Sequence, residues 1–388
     1  MRKLRIAVVA ALFAVGLAAC GGGDSPAPEN ALAGKATCAA VADSGMLCIK
    51  AVAADGITPI VGAEVQAGEA AANEAVKLAS KGVENPDKCV TDNEGNAACV
   101  VPSRLIGTQT YSLIFSGFAN KTFSATTTLG EVTDAGTQSM SGDTSARWLV
   151  VPGGFDGIQL LLSEIKGCTL TGDPTDPPSL TASDECEAVG LTVLSGAEVT
   201  DTLSNPEALA QYQAVFMNCG SNTASGDEIT ALKGFVDAGG NMYFSDLADD
   251  SLTAIFPDLV TFPPDKNNTG SGTLPAATIV DAGLQAFIGA DTMEIEFDWG
   301  SWTALGEFDD MTGQDIKSGL PATWTVFVQA DVSSLAATLT GTRPVTVGGP
   351  QEDGCIFYTS YHVEAGGAGT NQEKALRYLV LNRMSNCS

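Results

Sequence analysis

The chain has 388 residues with 46 acidic and 19 basic side chains, so its formal charge at pH 7 is −27. Such an excess of negative charge repels nucleic acid and anionic lipid headgroups, and we exclude both as binding partners. Because 43 glycines and 17 prolines accompany only 17% charged residues, the composition is that of a turn-rich globular protein, long enough for two hydrophobic cores.

Residues 1–19 predict an export signal, because basic residues precede an apolar run that is shorter than the ~20 residues of a membrane-spanning helix. The run ends in Leu-Ala-Ala-Cys20, which resembles a bacterial lipobox. The resemblance implies that Cys20 is acylated, so that the lipid bilayer is a partner of the protein. Gly21 favours the outer membrane, on its periplasmic or cell-surface side. Residues 20–37 predict a flexible tether, and an ordinary secretory signal is the alternative.

Nine cysteines follow Cys20, and an exported protein can oxidise them. Their spacing is not that of a zinc site, so the pattern predicts disulfides, one free thiol and no metal. A strand near 355–361 and a returning helix near 371–384 have similar predicted lengths, ~23 Å and ~21 Å, which favours a bond between the last two cysteines. The predicted pairs are Cys38 with Cys48, Cys89 with Cys99, Cys168 with Cys186, and Cys355 with Cys387. Cys219 is expected to be free.

Residues 38–128 contain short β-rich runs separated by turn residues, which predicts a small antiparallel β-sandwich. The segments Asp55-Gly56, PIVGAEV (59–65) and TDNEG (91–95) resemble the carboxypeptidase regulatory-like, transthyretin-like domain. This resemblance implies an all-β N-terminal domain that acts as a non-catalytic spacer or adhesion module. The polar, turn-forming residues 129–146 predict a linker.

From residue 147 onward, buried-strand patterns alternate with helical patterns, which predicts a parallel sheet covered on both faces. One helix begins after Ser225, where Glu228 would complete a capping box. The segments QAVFMNCG, FVDAGGNMYFSD and GCIFYTSYHVE resemble the class I glutamine-amidotransferase-like fold over residues 147–388. The resemblance implies a flavodoxin-like three-layer α/β domain, with an insertion near 263–342.

Catalytic members of that superfamily carry a cysteine nucleophile on a sharp turn after a central strand, and a His-x-Glu pair near the C-terminus. The resemblance places Ser245 at the nucleophile position, His362 as its base and Glu364 behind the imidazole. It also predicts a pocket beside these residues, lined by Cys219, Gly220 and Asp246.

The predicted turn departs from the family pattern, because Tyr243 and Leu247 stand where small residues let strand and helix approach. One interpretation is a Ser-His-Glu hydrolase or amidase, and a second is a non-catalytic ligand site at the strand ends. In a third, Ser245 or Asp246 caps the following helix and His362 is a hydrogen-bonded residue at the sheet edge. We expect a catalytically degenerate domain.

The predicted role is binding or scaffolding of an unknown protein or glycan ligand, without a cofactor. Trp299 and Trp302 have the side-chain type that stacks on sugar rings, and packing in the core is the alternative. Asp249 and Asp250 are predicted to lie in solvated helix starts and turns rather than in a calcium site.

Overall fold

The computed structural model describes residues 32–68, 88–262, 270–297, 302–306, 320–335, 341–363 and 370–384, and the backbone of two short strands between 308 and 315. The predictions for the signal peptide, Cys20, Trp299, Glu364 and Cys387 fall outside these ranges. Within them, no helix is long and apolar enough to cross a membrane. The described structure is mixed α/β.

The first part of the chain contributes eight strands to two sheets. Their bounds are β1 (Ala33–Lys35), β2 (Ser44–Val52), β3 (Glu64–Ala67), β4 (Cys89–Val90), β5 (Asn96–Pro102), β6 (Gly107–Ile114), β7 (Lys121–Thr127) and β8 (Val132–Ser139). One sheet has the order β1-β5-β2-β8 and the other β4-β3-β6-β7. Apolar side chains from both sheets, such as Leu47 of β2 and Tyr111 of β6, belong to one core.

The prediction of a flexible tether over 20–37 is wrong for Ala33–Lys35, because β1 pairs there with β5. The segment 129–146 is not only a linker, because it contains β8. This strand runs parallel to β2, with Met46 opposite Val132 and Val52 opposite Ser139. All eight of its side chains are exposed or half-buried, and most are polar. A strand without a buried face has no apolar alternation, which is why the sequence pattern predicted a linker and was wrong for Val132–Ser139.

The predicted disulfides are present wherever both cysteines are described. Bonds join Cys38 to Cys48, Cys89 to Cys99 and Cys168 to Cys186, with Cα–Cα distances of 6.0, 5.3 and 5.1 Å. The second bond connects β4 to β5 and therefore links the two sheets. Cys355 is also disulfide-bonded, and Cys219 is a free, buried thiol, as expected.

The remaining strands form a nine-stranded sheet and one two-stranded hairpin. Their bounds are β9 (Trp148–Val151), β10 (Leu191–Val193), β11 (Ala214–Met217), β12 (Asn241–Ser245), β13 (Gly272–Ile279), β14 (Thr292–Phe297), β15 (Phe308–Asp309), β16 (Gln314–Asp315), β17 (Thr325–Asp331), β18 (Thr342–Gln351) and β19 (Gly354–Thr359). The large sheet has the order β10-β9-β11-β12-β19-β18-β17-β13-β14, and β15 pairs with β16.

Strand direction divides the large sheet into two halves. The five strands β10, β9, β11, β12 and β19 are parallel to one another. The other four continue the sheet in antiparallel pairs. The predicted insertion near 263–342 supplies β13, β14 and β17, so it widens the sheet rather than forming a separate unit.

Helices cover the parallel strands. Their bounds are α1 (Ile158–Lys166), α2 (Asp184–Ala188), α3 (Val199–Leu203), α4 (Pro206–Leu209), α5 (Asp227–Asp237), α6 (Asp249–Ile255), α7 (Ala282–Ile288) and α8 (Asn371–Tyr378), which continues into a π-helical turn, Leu379–Arg383. In α1 the buried apolar residues recur at helical spacing, namely Ile158, Leu161, Leu162 and Ile165. The helix ends at Gly167, whose left-handed φ of 79° suits glycine.

Helix α5 begins without the predicted serine cap. The Glu228 Oε2 atom accepts the Ser225 N–H at 3.0 Å, so the glutamate half of the capping box is present. Gly226 takes the cap position, and no side chain caps the helix there. Ser225 therefore lies one residue too early for its hydroxyl to act as the cap.

Two buried cations connect the strands of the first part to the helices of the second. The Arg377 guanidinium in α8 donates hydrogen bonds to Asp55, which precedes β3, and to Glu164 of α1 and Glu373 of α8. Because all three acceptors are carboxylates, the buried charge of Arg377 is compensated on several sides.

Lys166, the last residue of α1, is the second cation and has no solvent exposure. Its Nζ donates to the carbonyl oxygens of Gly117 (3.1 Å), Asp143 (3.2 Å) and Ala146 (2.8 Å). It also lies 4.3 Å from the centre of the Trp148 ring. Burial lowers the pKa of Lys166 to about 7, against an opposing effect of Asp143. The junction therefore contains a lysine whose charge changes near neutral pH.

Candidate functional site

Three neighbouring parallel strands end at the same edge of the large sheet and bring together residues from distant parts of the sequence. Cys219 follows β11, Asp246 follows β12, and His362 follows β19. Since these strands are adjacent in the order β11-β12-β19, their carboxyl ends meet. This edge is where open α/β sheets bind ligands.

The turn after β12 is strained at Asp246. Its φ is +43°, a left-handed conformation that few non-glycine residues adopt and that costs roughly 1–3 kcal/mol. Ser245, by contrast, has the extended conformation of a strand residue, with φ −111° and ψ 134°. The sharp turn is thus centred one residue later than the sequence analysis placed it, and its central side chain is a carboxylate.

The Asp246 carboxylate is buried, with 2% exposure, and lies at the centre of a polar cluster. Its Oδ1 accepts the backbone N–H of Thr303 at 3.2 Å. Its Oδ2 accepts the thiol of Cys219 at 3.3 Å and lies 3.6 Å from Nδ1 of His362. Asp246 therefore contacts both of the other strand-end residues.

Ser245 makes a different set of contacts. Its hydroxyl donates to Asp156 Oδ2 and accepts the backbone N–H of Cys219 at 2.8 Å. The other oxygen of Asp156 accepts the N–H groups of Ile158 (3.0 Å) and Val363 (3.3 Å). The buried serine thus connects the end of β11 to the start of α1, and the residue after it in sequence, Asp246, lies beside the histidine.

Burial determines the protonation behaviour of this region. It raises the pKa of Asp246 and of Asp156, and in both cases His362 acts in the opposite direction. Burial, followed by the negative charge of Asp246, also raises the pKa of the Cys219 thiol. Cys219 is therefore a protonated hydrogen-bond donor at neutral pH rather than a thiolate nucleophile.

The structure brings together some of the predicted site residues. Cys219, Asp246 and His362 form one cluster, and Gly220 follows Cys219 with a positive φ of 79°. Glu364 lies outside the described residues. The helix-cap interpretation is wrong, because α6 begins at Asp249 without a side-chain cap and neither Ser245 nor Asp246 caps the short helical turn before it.

Two further side chains bear on the earlier interpretations. Trp302 is buried and stacks on Phe297 with ring centres 4.2 Å apart, so it packs in the core and offers no platform for a sugar. Asp156 was not among the predicted site residues. Its signal was an aspartate just before an amphipathic helix, where the side chain commonly accepts the N–H two residues on in an Asx turn, as Oδ1 accepts that of Ile158.

The cluster has the donor atoms for a metal ion. The Cys219 sulfur, an Asp246 oxygen and a His362 nitrogen all lie within 4.8 Å of one another. Thiol, carboxylate and imidazole groups are the side chains that bind zinc in proteins. Without an ion, a hydrogen bond joins Cys219 to Asp246, and the His362 imidazole lies beside the same carboxylate.

No protein-family model matches the chain, and no curated protein sequence matches it. Among solved structures, a ThuA-like protein from Bacteroides uniformis is 10% identical, with 60% of this chain and 89% of that chain covered and a TM-score of 0.35. A glutamine amidotransferase from Thermotoga maritima is 11% identical, with 61% and 81% covered and a TM-score of 0.33. The cytoplasmic protein STM1381 from Salmonella typhimurium LT2 is 13% identical, with 62% and 99% covered and a TM-score of 0.35. The similarity is remote, and no role for any residue follows from it.

Proposed function

We propose that the chain is an exported lipoprotein, acylated at Cys20, whose α/β part binds or scaffolds a ligand at the outer membrane without catalysing acyl transfer. In this proposal, residues 38–128 are a carboxypeptidase regulatory-like β-sandwich that acts as a spacer. Residues 147–388 are a flavodoxin-like, amidotransferase-like domain. The ligand is a protein or a glycan of the cell envelope.

The observation that carries the non-catalytic proposal is the position of Asp246. In the amidotransferase-like fold that the sequence resembles, the nucleophile occupies the strained turn after a central strand. Here that turn holds a buried carboxylate, which accepts hydrogen bonds from Cys219 and Thr303. An aspartate cannot perform the thiol chemistry of a glutamine amidotransferase.

The two side chains that could replace the missing nucleophile are occupied. A serine nucleophile needs a base and open space for a substrate. The Ser245 hydroxyl has no exposure and is held between Asp156 and the backbone of Cys219. The Cys219 thiol is 1% exposed, and its raised pKa keeps it protonated. Both groups therefore form hydrogen bonds that connect the strand ends, and neither is available as a nucleophile.

The spacer role is supported by the junction between the two parts. Arg377 joins Asp55 to the helices α1 and α8, and Lys166 joins α1 to the carbonyl oxygen of Gly117. Contacts of this kind hold the strand-end cluster in a fixed orientation relative to the sandwich.

The alternative function is a hydrolase or amidase that uses Ser245, His362 and Glu364. A serine-reactive fluorophosphonate probe separates the two functions, with an active serine hydrolase as the positive control. We expect no labelling of the wild-type chain, the same result for Ser245→Ala, and no hydrolysis of ester or amide substrates above the buffer rate. Labelling of Ser245 that disappears in His362→Ala would establish the hydrolase instead.

A further inference from the structure

We propose that Cys219, Asp246 and His362 form a binding site for one divalent transition-metal ion, with zinc as the best match. The three side chains come from the ends of three adjacent strands and converge on one point of the sheet edge. This site goes beyond the binding role proposed above and does not depend on it.

Two distances within the cluster, both measured from Asp246 Oδ2, are close to those of a zinc site. Zinc lies about 2.3 Å from sulfur and ~2.0–2.1 Å from nitrogen or oxygen, in tetrahedral geometry. A tetrahedral angle then puts sulfur and oxygen ~3.6 Å apart, and nitrogen and oxygen ~3.3 Å apart. The observed distances are 3.3 Å from Cys219 Sγ to Asp246 Oδ2 and 3.6 Å from His362 Nδ1 to the same oxygen. These two distances are within a few tenths of an ångström of the tetrahedral values, and all three donor atoms lie within 4.8 Å of one another.

The donor set selects the kind of metal. Calcium and magnesium take oxygen ligands, whereas a thiolate and an imidazole together favour zinc and similar transition metals. The protein has 46 acidic residues, and these attract divalent cations of every kind weakly. A mixed sulfur, nitrogen and oxygen site is distinguished from that background by its preference for zinc or cobalt over calcium.

The groups behind the ligands hold them in place. Asp246 Oδ1 is fixed by the N–H of Thr303, which leaves Oδ2 directed at the cluster. The Tyr358 hydroxyl donates to the carbonyl oxygens of both Asp246 (3.3 Å) and Thr303 (3.1 Å). Metal ligands in proteins are oriented by such secondary hydrogen bonds. The backbone of Asp246 is strained, with a positive φ, and such strain is found mostly at functional sites of proteins.

Three protein ligands leave a fourth position for water or another ligand, as in catalytic zinc sites. In the metal-free state the Cys219 thiol keeps its proton and donates a hydrogen bond to Asp246. Coordination replaces that S–H bond with a bond from sulfur to the metal, and the proton passes to the solvent. The thiolate, the carboxylate and the divalent ion then have a combined charge of zero, which reduces the cost of burial.

Cobalt is the direct probe, because a thiolate bound to Co²⁺ gives an intense charge-transfer absorption in the near ultraviolet. The full-length chain is stripped with a chelator and titrated with Co²⁺, and then with Zn²⁺. We expect the absorption to saturate at one ion per chain, to be abolished by Zn²⁺ and to persist in excess Ca²⁺. We also expect one proton to be released into the solvent for each ion bound, because the Cys219 thiol loses its proton on coordination.

Variants assign the signal to the three residues. Cys219→Ser should remove the charge-transfer absorption. His362→Gln should lower the metal affinity by more than the roughly 10–100-fold that is typical when a secondary hydrogen bond is removed. Tyr358→Phe, which keeps the ring and deletes only the hydroxyl, should fall within that range. Asp250→Asn, an exposed acid in α6, is the matched control and should bind as the wild type does.

Two results would overturn the proposal. One is a wild-type titration without charge-transfer absorption or without saturation at one ion per chain, and this result does not require any variant to fold. The other is an absorption that survives in Cys219→Ser, since the thiolate would then come from a different residue.

Discussion

The buried Lys166 should make the fold more stable as the pH rises above 7. This direction is unusual for a lysine, because burial lowers its pKa in the folded chain. Its pKa is about 7 in the folded chain and 10.5 for a lysine side chain in water, which represents the unfolded chain. The folded value is lower because burial disfavours the charged ammonium form. Between these two values the unfolded chain binds more protons than the folded chain. Stability must therefore rise with pH over this window and be lowest below pH 7.

The size of the effect follows from linkage. Each pH unit above the folded pKa contributes about 1.4 kcal/mol, so Lys166 should raise the free energy of unfolding by about 2 kcal/mol between pH 7 and pH 9. In Lys166→Met, which keeps much of the side-chain volume without the charge, this rise should be absent. The measurement is urea unfolding of the oxidised protein at several pH values between 6 and 9.

The matched control is Lys233→Met, because Lys233 is half-exposed in α5 and should leave the pH profile unchanged. A wild-type profile that stays flat from pH 7 to pH 9 would refute the reasoning. It would mean that the three carbonyl oxygens and the Trp148 ring stabilise the ammonium group more than burial destabilises it. Equal slopes for wild type and Lys166→Met would assign the pH dependence to another group.

Two further predictions concern cysteines outside the described residues. Labelling of expressed protein with a palmitate analogue should mark the wild type and not Cys20→Ala, and equal labelling of both would contradict acylation at Cys20. Peptide mapping of the non-reduced protein should connect Cys355 to Cys387, whereas a peptide that links Cys219 to either of them would contradict the expected pairing.

Much of the fold was predictable because its signals are local. The stripe of Ile158, Leu161 and Ile165 predicts α1 from helical spacing alone, and the buried runs at β11, β12 and β19 predict parallel strands. The three disulfides with both cysteines described pair across 10, 10 and 18 residues, so proximity in sequence was a sufficient guide. Strand β8 was missed because neither of its faces is buried.

The candidate site was predictable only in part. The residues at the strand ends were identified from the sequence, but the centre of the turn was placed at Ser245, whereas the structure has it at Asp246. Both are polar, and only the backbone conformation separates them. The contact of Cys219 and His362 with Asp246 depends on the strand order β11-β12-β19, which no local pattern contains. For the same reason, the spacing of the cysteines gave no indication of a metal site.

The outer strand β14 has a consequence for how the protein behaves at high concentration. An edge strand with free backbone groups is a template on which another chain can add and start an aggregate. Here the Gln372 side chain of α8 accepts the N–H of Glu296 at 3.0 Å and donates to its carbonyl oxygen at 3.1 Å, as a neighbouring strand would. Glu294 and Glu296 place negative charges on the exposed face of the same strand. The opposite edge, β10, has only three residues, so neither side of the large sheet offers a long, uncharged border for a second molecule.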